Sequence, residues 1–258
     1  MWFKRLESKL FEWKIYDSYL GGEARRTNRM NYCVGSLQEK HQTRLFGDGG
    51  AIPTSTHQLI FKKIRRTSAL RFLIENHYLH RSAPVSFSFG AFFDGFLVGA
   101  LTIGKPASHT LIEGVAGKEN AVRVFELNRL YLFDFIPKNS ESRFIAWVCK
   151  QLPKEIILVS YADSAFGHIG CVYQANGWKY TGTSTPFIDW TMNGKDHRSI
   201  PKHKRSDHSK LYSIERSKKF RYVKFLNKDY SQLKYKILPY PKRKDLFIMG
   251  RTNDFNVA

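Results

Sequence analysis

The sequence predicts an α/β fold, a mixed sheet flanked by helices, and three observations carry that expectation. Residues 86–103 (SFSFGAFFDGFLVGALTI) are two apolar strand-like runs on either side of Asp94-Gly95, a dipeptide that suits a tight hairpin turn. Residues 156–161 (IILVSY) are apolar without a break, as in a central strand covered on both faces. Helical stretches alternate with strand-like ones around them, so at least one connection is a parallel crossover.

The elements follow in chain order. Trp2, Leu6, Leu10 and Trp13 recur at helical spacing with charges between them, which predicts an amphipathic helix ending before Gly21-Gly22. Residues 21–57 are polar and glycine-rich, with Gly47-Asp48-Gly49-Gly50 as a loop signal. Residues 67–79 read as a helix with Thr67 or Ser68 as its cap. After the hairpin, residues 122–132 (VRVFELNRLYL) read as a strand, Pro137-Lys138-Asn139-Ser140 as a loop and residues 140–152 as a helix. The apolar strand comes next, then a short helix near 167–176 closed by Gly177, then a last strand from Trp178. The expected organisation is an N-terminal extension over 1–60, a catalytic core over 61–190 and a basic, aromatic-rich segment over 191–258.

Composition narrows the function. The 258 residues are 42% hydrophobic and 15% aromatic, which excludes a wholly disordered chain. The net charge of +20 favours a polyanionic partner and argues against a soluble cationic substrate. No apolar run approaches the roughly 18–20 residues of a membrane span, and the charged N-terminus lacks a signal-peptide core, so a cytosolic protein is expected. Cys33, Cys149 and Cys171 form neither a disulfide framework nor a thiolate zinc site.

Charge concentrates between Lys195 and Asp245, where 17 Lys/Arg stand against 5 Asp/Glu. Tyr212, Phe220, Tyr222, Phe225, Tyr230, Tyr235 and Tyr240 interleave with them. Cations neutralise phosphates and aromatic faces stack on unpaired bases. Lys202, Lys204, Arg205, Lys218, Lys219, Arg221, Tyr222 and Lys224 are therefore the expected nucleic-acid contacts. A solvated tail is the plain alternative, but residues 220–226 alternate as a strand and belong to a folded unit.

In an open α/β sheet, ligands gather at the carboxyl ends of the strands. One such end leads to the helix starting near Ser140, whose free amides suit an anion. The other is Ser160-Tyr161-Ala162-Asp163, with Gly167-His168 opening the next helix and Tyr173 within it. A carboxylate, an imidazole and a phenol make an acid/base cluster. His77, Asp163 and His168 would also suit iron(II) or another divalent metal. Each has a structural alternative: Asp163 as a helix cap, His77, Tyr78 and His168 as helix-terminal residues, Tyr173 as core.

Asn76-His77-Tyr78-Leu79-His80, Phe125-Glu126-Leu127-Asn128-Arg129-Leu130-Tyr131, the run from Tyr161 to Gly170, Tyr173-Gln174-Ala175-Asn176-Gly177-Trp178 and Tyr180-Thr181-Gly182 together resemble the Mom family of bacteriophages. The resemblance covers roughly residues 66–185, and more weakly Arg221–Leu226 and Leu238–Lys242. It implies a GNAT-like acyltransferase fold. It implies conversion of adenine in phage DNA to the N6-carbamoylmethyl (acetamido) form, which shields the phage genome from host restriction. It points to double-stranded DNA as partner, with the adenine flipped out, and to the cytoplasm of the infected host. Family counterparts implicated in activity map to His77, Tyr78, Arg129, Ser142, Asp163 and Tyr173. Bound iron and a CoA-type donor are further implications, and a homodimer is left open.

On this reading Asp163 accepts or orients the adenine proton and Tyr173 donates to a leaving group or holds the base. Arg129, Ser140 and Ser142 hold the donor's anionic part. One departure stands out. GNAT enzymes carry a Gln/Arg-x-x-Gly-x-Gly/Ala loop around the CoA pyrophosphate, whereas residues 137–142 (PKNSES) contain no glycine. The backbone approaches an anion less closely there, which leaves acetyl-CoA and other acyl or aminoacyl donors open. A conventional N-acetyltransferase acting on a protein or RNA amine, and a non-catalytic DNA-binding protein, are the competing readings.

Overall fold

A computed structural model describes residues 51–184, 188–192, 195–196, 212–215 and 217–243. The expected N-terminal helix, and Lys202, Lys204 and Arg205, lie outside them. The order of elements is β1 (Ile60–Lys63), α1 (Arg66–Asn76), β2 (Phe87–Phe93), β3 (Phe96–Gly104), α2 (His109–Ala116), β4 (Val124–Leu132), α3 (Ser140–Gln151), β5 (Ile157–Asp163), α4 (Cys171–Ala175), β6 (Lys179–Thr183), β7 (Ile188–Met192), β8 (Lys195–Asp196), β9 (Tyr212–Glu215) and β10 (Lys219–Phe225). No helix among the described residues is long and apolar enough to cross a membrane.

Seven strands form one mixed sheet in the order β1-β2-β3-β4-β5-β10-β6, and β8-β7-β9 form a small separate sheet. The hairpin turns at Asp94-Gly95 as expected, with φ of 47° and 81° at the two residues. The parallel crossover is β4–α3–β5. It has an unusual feature: β4 and β5 pair only at Val124–Ile157, Phe125–Leu158 and Glu126–Val159, then part. Just beyond, Asn128 is an extra residue in β4, because Leu127 faces Ile103 and Arg129 faces Thr102. Thr102 Oγ1 donates to Asn128 Oδ1 at 2.8 Å and Asn128 Nδ2 donates to Pro84 O at 2.7 Å, so the bulge is latched on both sides.

Two expectations need correction. α1 begins at Arg66 with Arg65 as its N-cap, without a side-chain capping bond, so neither Thr67 nor Ser68 caps it. The boundary at residue 191 does not separate a core from a distinct C-terminal unit. β10 lies inside the large sheet, paired along its whole length with β5 and on its other edge with β6.

This placement turns the C-terminal aromatics inward. Phe220, Tyr222 and Phe225 are at most 1% exposed. Tyr222 therefore does not face nucleic acid. Its ring packs against Tyr173 at 5.3 Å and Tyr180 at 5.5 Å, its hydroxyl donates to the Ile169 carbonyl, and Gln174 Nε2 donates to that hydroxyl at 3.0 Å. Gly170, in the left-handed conformation (φ 81°), gives it room; a Cβ there would stand 2.3 Å from Tyr222 Cε2. The larger core cluster joins α1, α3 and α4 to the sheet. A smaller one packs α2 and Tyr230, Leu233 and Tyr235 over Ile157, Val159, Val223 and Phe225.

Tyr222→Ala should cost roughly 3–5 kcal/mol, as for truncation of a large buried ring. The measurement is the urea midpoint. A midpoint equal to that of the parent protein would return Tyr222 to the surface.

Candidate active site

The parted strands define the site. Past Glu126 the facing edges of β4 and β5 no longer pair with each other, and side chains take over. Ser160 Oγ lies 2.8 Å from Leu127 O and 2.7 Å from the Tyr173 hydroxyl. A carbonyl can only accept, so Ser160 donates to Leu127 and Tyr173 donates to Ser160. Burial pushes the Tyr173 phenol up to about 12, so it is a neutral donor at physiological pH.

Asp163 ends β5 and starts the short turn Ser164–Phe166. Its Oδ1 accepts from Ala165 N–H at 3.1 Å and from Ser217 Oγ at 2.5 Å, and Lys219 Nζ lies 3.2 Å from Oδ2. Asp163 is thus both the cap of the turn and the anchor of β10, whose first residue, Lys219, faces it across the sheet. The capping alternative and the site reading describe the same side chain.

Glu126 is a site residue that the sequence reading passed over. It stands at the last paired position of β4, within electrostatic reach of Arg129 and Lys219, and influences Tyr161 and Tyr173 in turn. Burial raises its pKa, while Arg129 and Lys219 lower it. It has no hydrogen-bond partner among the described residues. The signal in the sequence was a lone carboxylate in the middle of an apolar strand. Lys219 was also visible, but as a nucleic-acid contact and not as the partner of Asp163.

Arg129 follows the bulge. Its Nη1 donates to Asn128 O at 2.6 Å, and its Nε is buried with no partner among the described residues. A buried donor left open is costly unless something fills it, so Arg129 is poised for an acceptor.

α1 brings the remaining groups. His77 is its C-cap, 6% exposed, with its ring stacked on Tyr78 at 4.3 Å. Its Nδ1 accepts from Leu79 N–H at 3.1 Å, which fixes the tautomer with the proton on Nε2. Burial, helped by Arg129, His80 and His168, lowers its pKa to about 4. Tyr78 is shifted upward by burial and by Asp163, which brings the carboxylate and the phenol into one cluster. The structure therefore joins His77, Tyr78, Arg129, Asp163 and Tyr173 around one mouth.

It does not assemble the metal set. His77 Nδ1 is occupied by Leu79, the Asp163 oxygens are taken by Ser217, Ala165 and Lys219, and no cluster of three His, Cys, Asp or Glu among the described residues suits a metal ion. The iron(II) expectation from His77, Asp163 and His168 does not fit this donor set.

At the start of α3, the Ser140 hydroxyl donates to Pro137 O at 2.6 Å and the Ser142 hydroxyl to Asn139 O at 2.9 Å. Neither hydroxyl proton is free for a donor. The glycine-less loop still turns, because Asn139 adopts the left-handed conformation (φ 70°). The amides of Glu141 and Ser142 carry no partner among the described residues and point out of the helix start.

Of the expected nucleic-acid contacts, Arg221 binds Thr181 through Nε (2.9 Å) and Nη2 (2.8 Å) and covers the Tyr235 ring at 3.6 Å. Lys224 Nζ donates to Asn176 O. These two cations brace the sheet, whereas Lys218 keeps its ammonium unpaired among the described residues.

The His77 shift has a definite sign. Its folded pKa lies below the unfolded value, so the unfolded chain binds the extra proton. Stability is then full above about pH 6.5 and falls by about 3 kcal/mol as pH drops through 4. His77→Asn keeps an acceptor for Leu79 without the titration. Its denaturation midpoint should respond less to pH between 6.5 and 4 than that of the parent; equal slopes would remove His77 as the cause.

Comparison with known proteins bears on this arrangement. The methylcarbamoylase Mom of Escherichia phage Mu is 28% identical over 190 residues, which span 67% of this chain and 75% of that protein. Among solved structures, the Drosophila melanogaster polyamine N-acetyltransferase aligns at a TM-score of 0.40 and 12% identity, over 65% of this chain and 99% of that one. A GNAT family acetyltransferase from Elizabethkingia anophelis with acetyl-CoA bound aligns at 0.36 and 11%, over 64% and 97%. The Mom protein family model matches residues 58–242, a span holding every strand of the large sheet and every site residue described above, and the chain belongs to that family.

Proposed function

We propose that this chain modifies phage DNA by transferring a carbamoylmethyl group to the N6 amine of adenine, which protects the DNA from host restriction. The observation that carries the reading is the group around the parted strands. Two carboxylates, a neutral phenol and an arginine with an open donor converge there in a member of a phage DNA-modifying family.

The chemistry asks three things of the protein. Adenine N6 lies on the pairing edge, so the base leaves the stack, or is met in a single strand, before it reacts. The amine is a weak nucleophile because its lone pair is delocalised into the ring, so a carboxylate accepts its proton as the new bond forms. Glu126 takes this role, because its carboxylate has no hydrogen-bond partner among the described residues and burial raises its pKa. Asp163, already engaged by three groups, orients the amine. Tyr173 holds its proton at the bottom of the split and can give it directly to a leaving group, while the Ser160 proton stays directed at Leu127 O.

The donor, of CoA or aminoacyl type, brings the two-carbon unit. To give the N6–CH2 bond of the product, the bond between that methylene carbon and its leaving group breaks as the N–C bond forms, and the group departs with the electron pair. The amides of Glu141 and Ser142 suit the donor's anionic part and Arg129 Nε suits a carbonyl or carboxylate oxygen near the reacting end. This departs from the expectation that the Ser140 and Ser142 hydroxyls do that work. The strand order and the split between β4 and β5 support the GNAT-like reading of the fold.

Nucleoside mass spectrometry on DNA from bacteria expressing the chain tests the proposal. A carbamoylmethylated deoxyadenosine is expected. Glu126→Gln should lower its rate of formation roughly 10²–10⁴-fold while DNA binding persists. Unmodified deoxyadenosine throughout, from folded protein, would refute the function. Full activity in Glu126→Gln, with loss in Asp163→Asn, would move the proton acceptor to Asp163.

A further inference from the structure

An enzyme that acts on an extruded base needs something flat to hold it, because unstacking removes two neighbours at once. The described rings from Phe220 to Tyr240 do not provide this surface. Phe220, Tyr222 and Phe225 are interior, Tyr230 packs on Phe225 at 5.1 Å, and Tyr235 lies under the Arg221 guanidinium. Tyr240 is spent on Trp178, whose carbonyl accepts its hydroxyl at 2.8 Å.

Two exposed rings meet at the mouth of the split. Phe166 is 51% exposed and Tyr78 45%, and their centroids are 4.3 Å apart at a tilt of 44°. Tyr78 is backed in turn by the buried His77 ring, so the pair rests on a fixed support. Phe166 ends the turn that Asp163 caps, and Gly167 closes that turn in the left-handed conformation (φ 67°). The position of the ring is therefore tied to the position of the carboxylate. His168 stands edge-on to Phe166 at 6.4 Å and frames its side. Arg129 and Arg81, which act on each other and on Tyr78, make the surroundings positive, which suits a phosphate-bearing ligand.

We propose that Phe166, backed by Tyr78, is the platform on which the extruded purine of a DNA strand stacks, with its amino edge beside Asp163. This rests on the adenine-modifying function above. Stacking on a hydrocarbon ring accepts any base, because every base has a π-face. The platform therefore supplies affinity and orientation, and choice of adenine falls to the polar groups at its edge.

The test uses the full chain and a single-stranded oligonucleotide carrying one 8-azidoadenine, irradiated and mapped by peptide mass spectrometry. Adducts on Phe166 or Tyr78 are expected; adducts confined to other segments would overturn the platform. In steady state, Phe166→Leu should raise KM for DNA roughly 10–100-fold and Phe166→Trp should restore it. The thermal midpoint should hold in both, since the ring is half exposed. A Phe166→Leu enzyme with unchanged KM refutes the platform even where the parent forms product. A parent that forms no product yet is labelled at Phe166 refutes the reaction and leaves the platform standing.

Discussion

The arrangement depends on two parallel strands that stop pairing. After Glu126 and Val159, β4 and β5 diverge, and each exposes an edge that a continuous sheet would hide. Such an edge is a liability unless its polar groups find partners. Ser160 meets part of that need by donating to Leu127 O, and the Asn128 bulge bends β4 away under two side-chain latches. The opening is thus built and supported. Glu126 marks its closed end, Asp163 the mouth on β5 and Arg129 the mouth on β4.

Electrostatics inside the opening follows from a shortage of partners. Lys219 lies against Asp163 and within reach of Glu126, so one cation serves two acids. Arg129 has an acceptor for one nitrogen and none for another. Arg129 and Glu126 thus keep hydrogen-bonding capacity that a ligand carrying an oxygen and an amine would complete. The neutral phenols and the neutral His77 around it keep the local field governed by those few charges.

Much of the fold was legible in the sequence because it rests on local signals. The Asp94-Gly95 turn, the apolar IILVSY run and the helix after residue 139 all appear where the pattern places them. The neighbours of β10 were not legible. Its alternation of apolar and cationic residues is what a strand with one wet face shows, yet Arg221 and Lys224 spend their charge on Thr181, Tyr235 and Asn176. A chain-local pattern records that a side chain is charged and is silent about which carbonyl a distant segment will offer. The same limit explains the site. His77, Tyr78, Arg129, Asp163 and Tyr173 were readable as candidates, whereas Glu126 became one only when Arg129 and Lys219 converged on it. The serines at the start of α3 were misread for a related reason, since a hydroxyl that suits an anion also suits a carbonyl three residues back.

The position of β10 in the sheet sets an order of events during synthesis. β6 has β10 as its sole neighbour in the large sheet, and β10 is made some 36 residues later. At roughly 5–20 residues per second, β6 and the outer edge of β5 wait on the order of seconds for the strand that joins them. Asp163 gains Ser217 and Lys219 only at that moment, so a nascent or truncated chain ending before β10 holds an incomplete centre and two open edges. The ribosome thereby delays completion of this centre until the last described strand of the sheet has been translated.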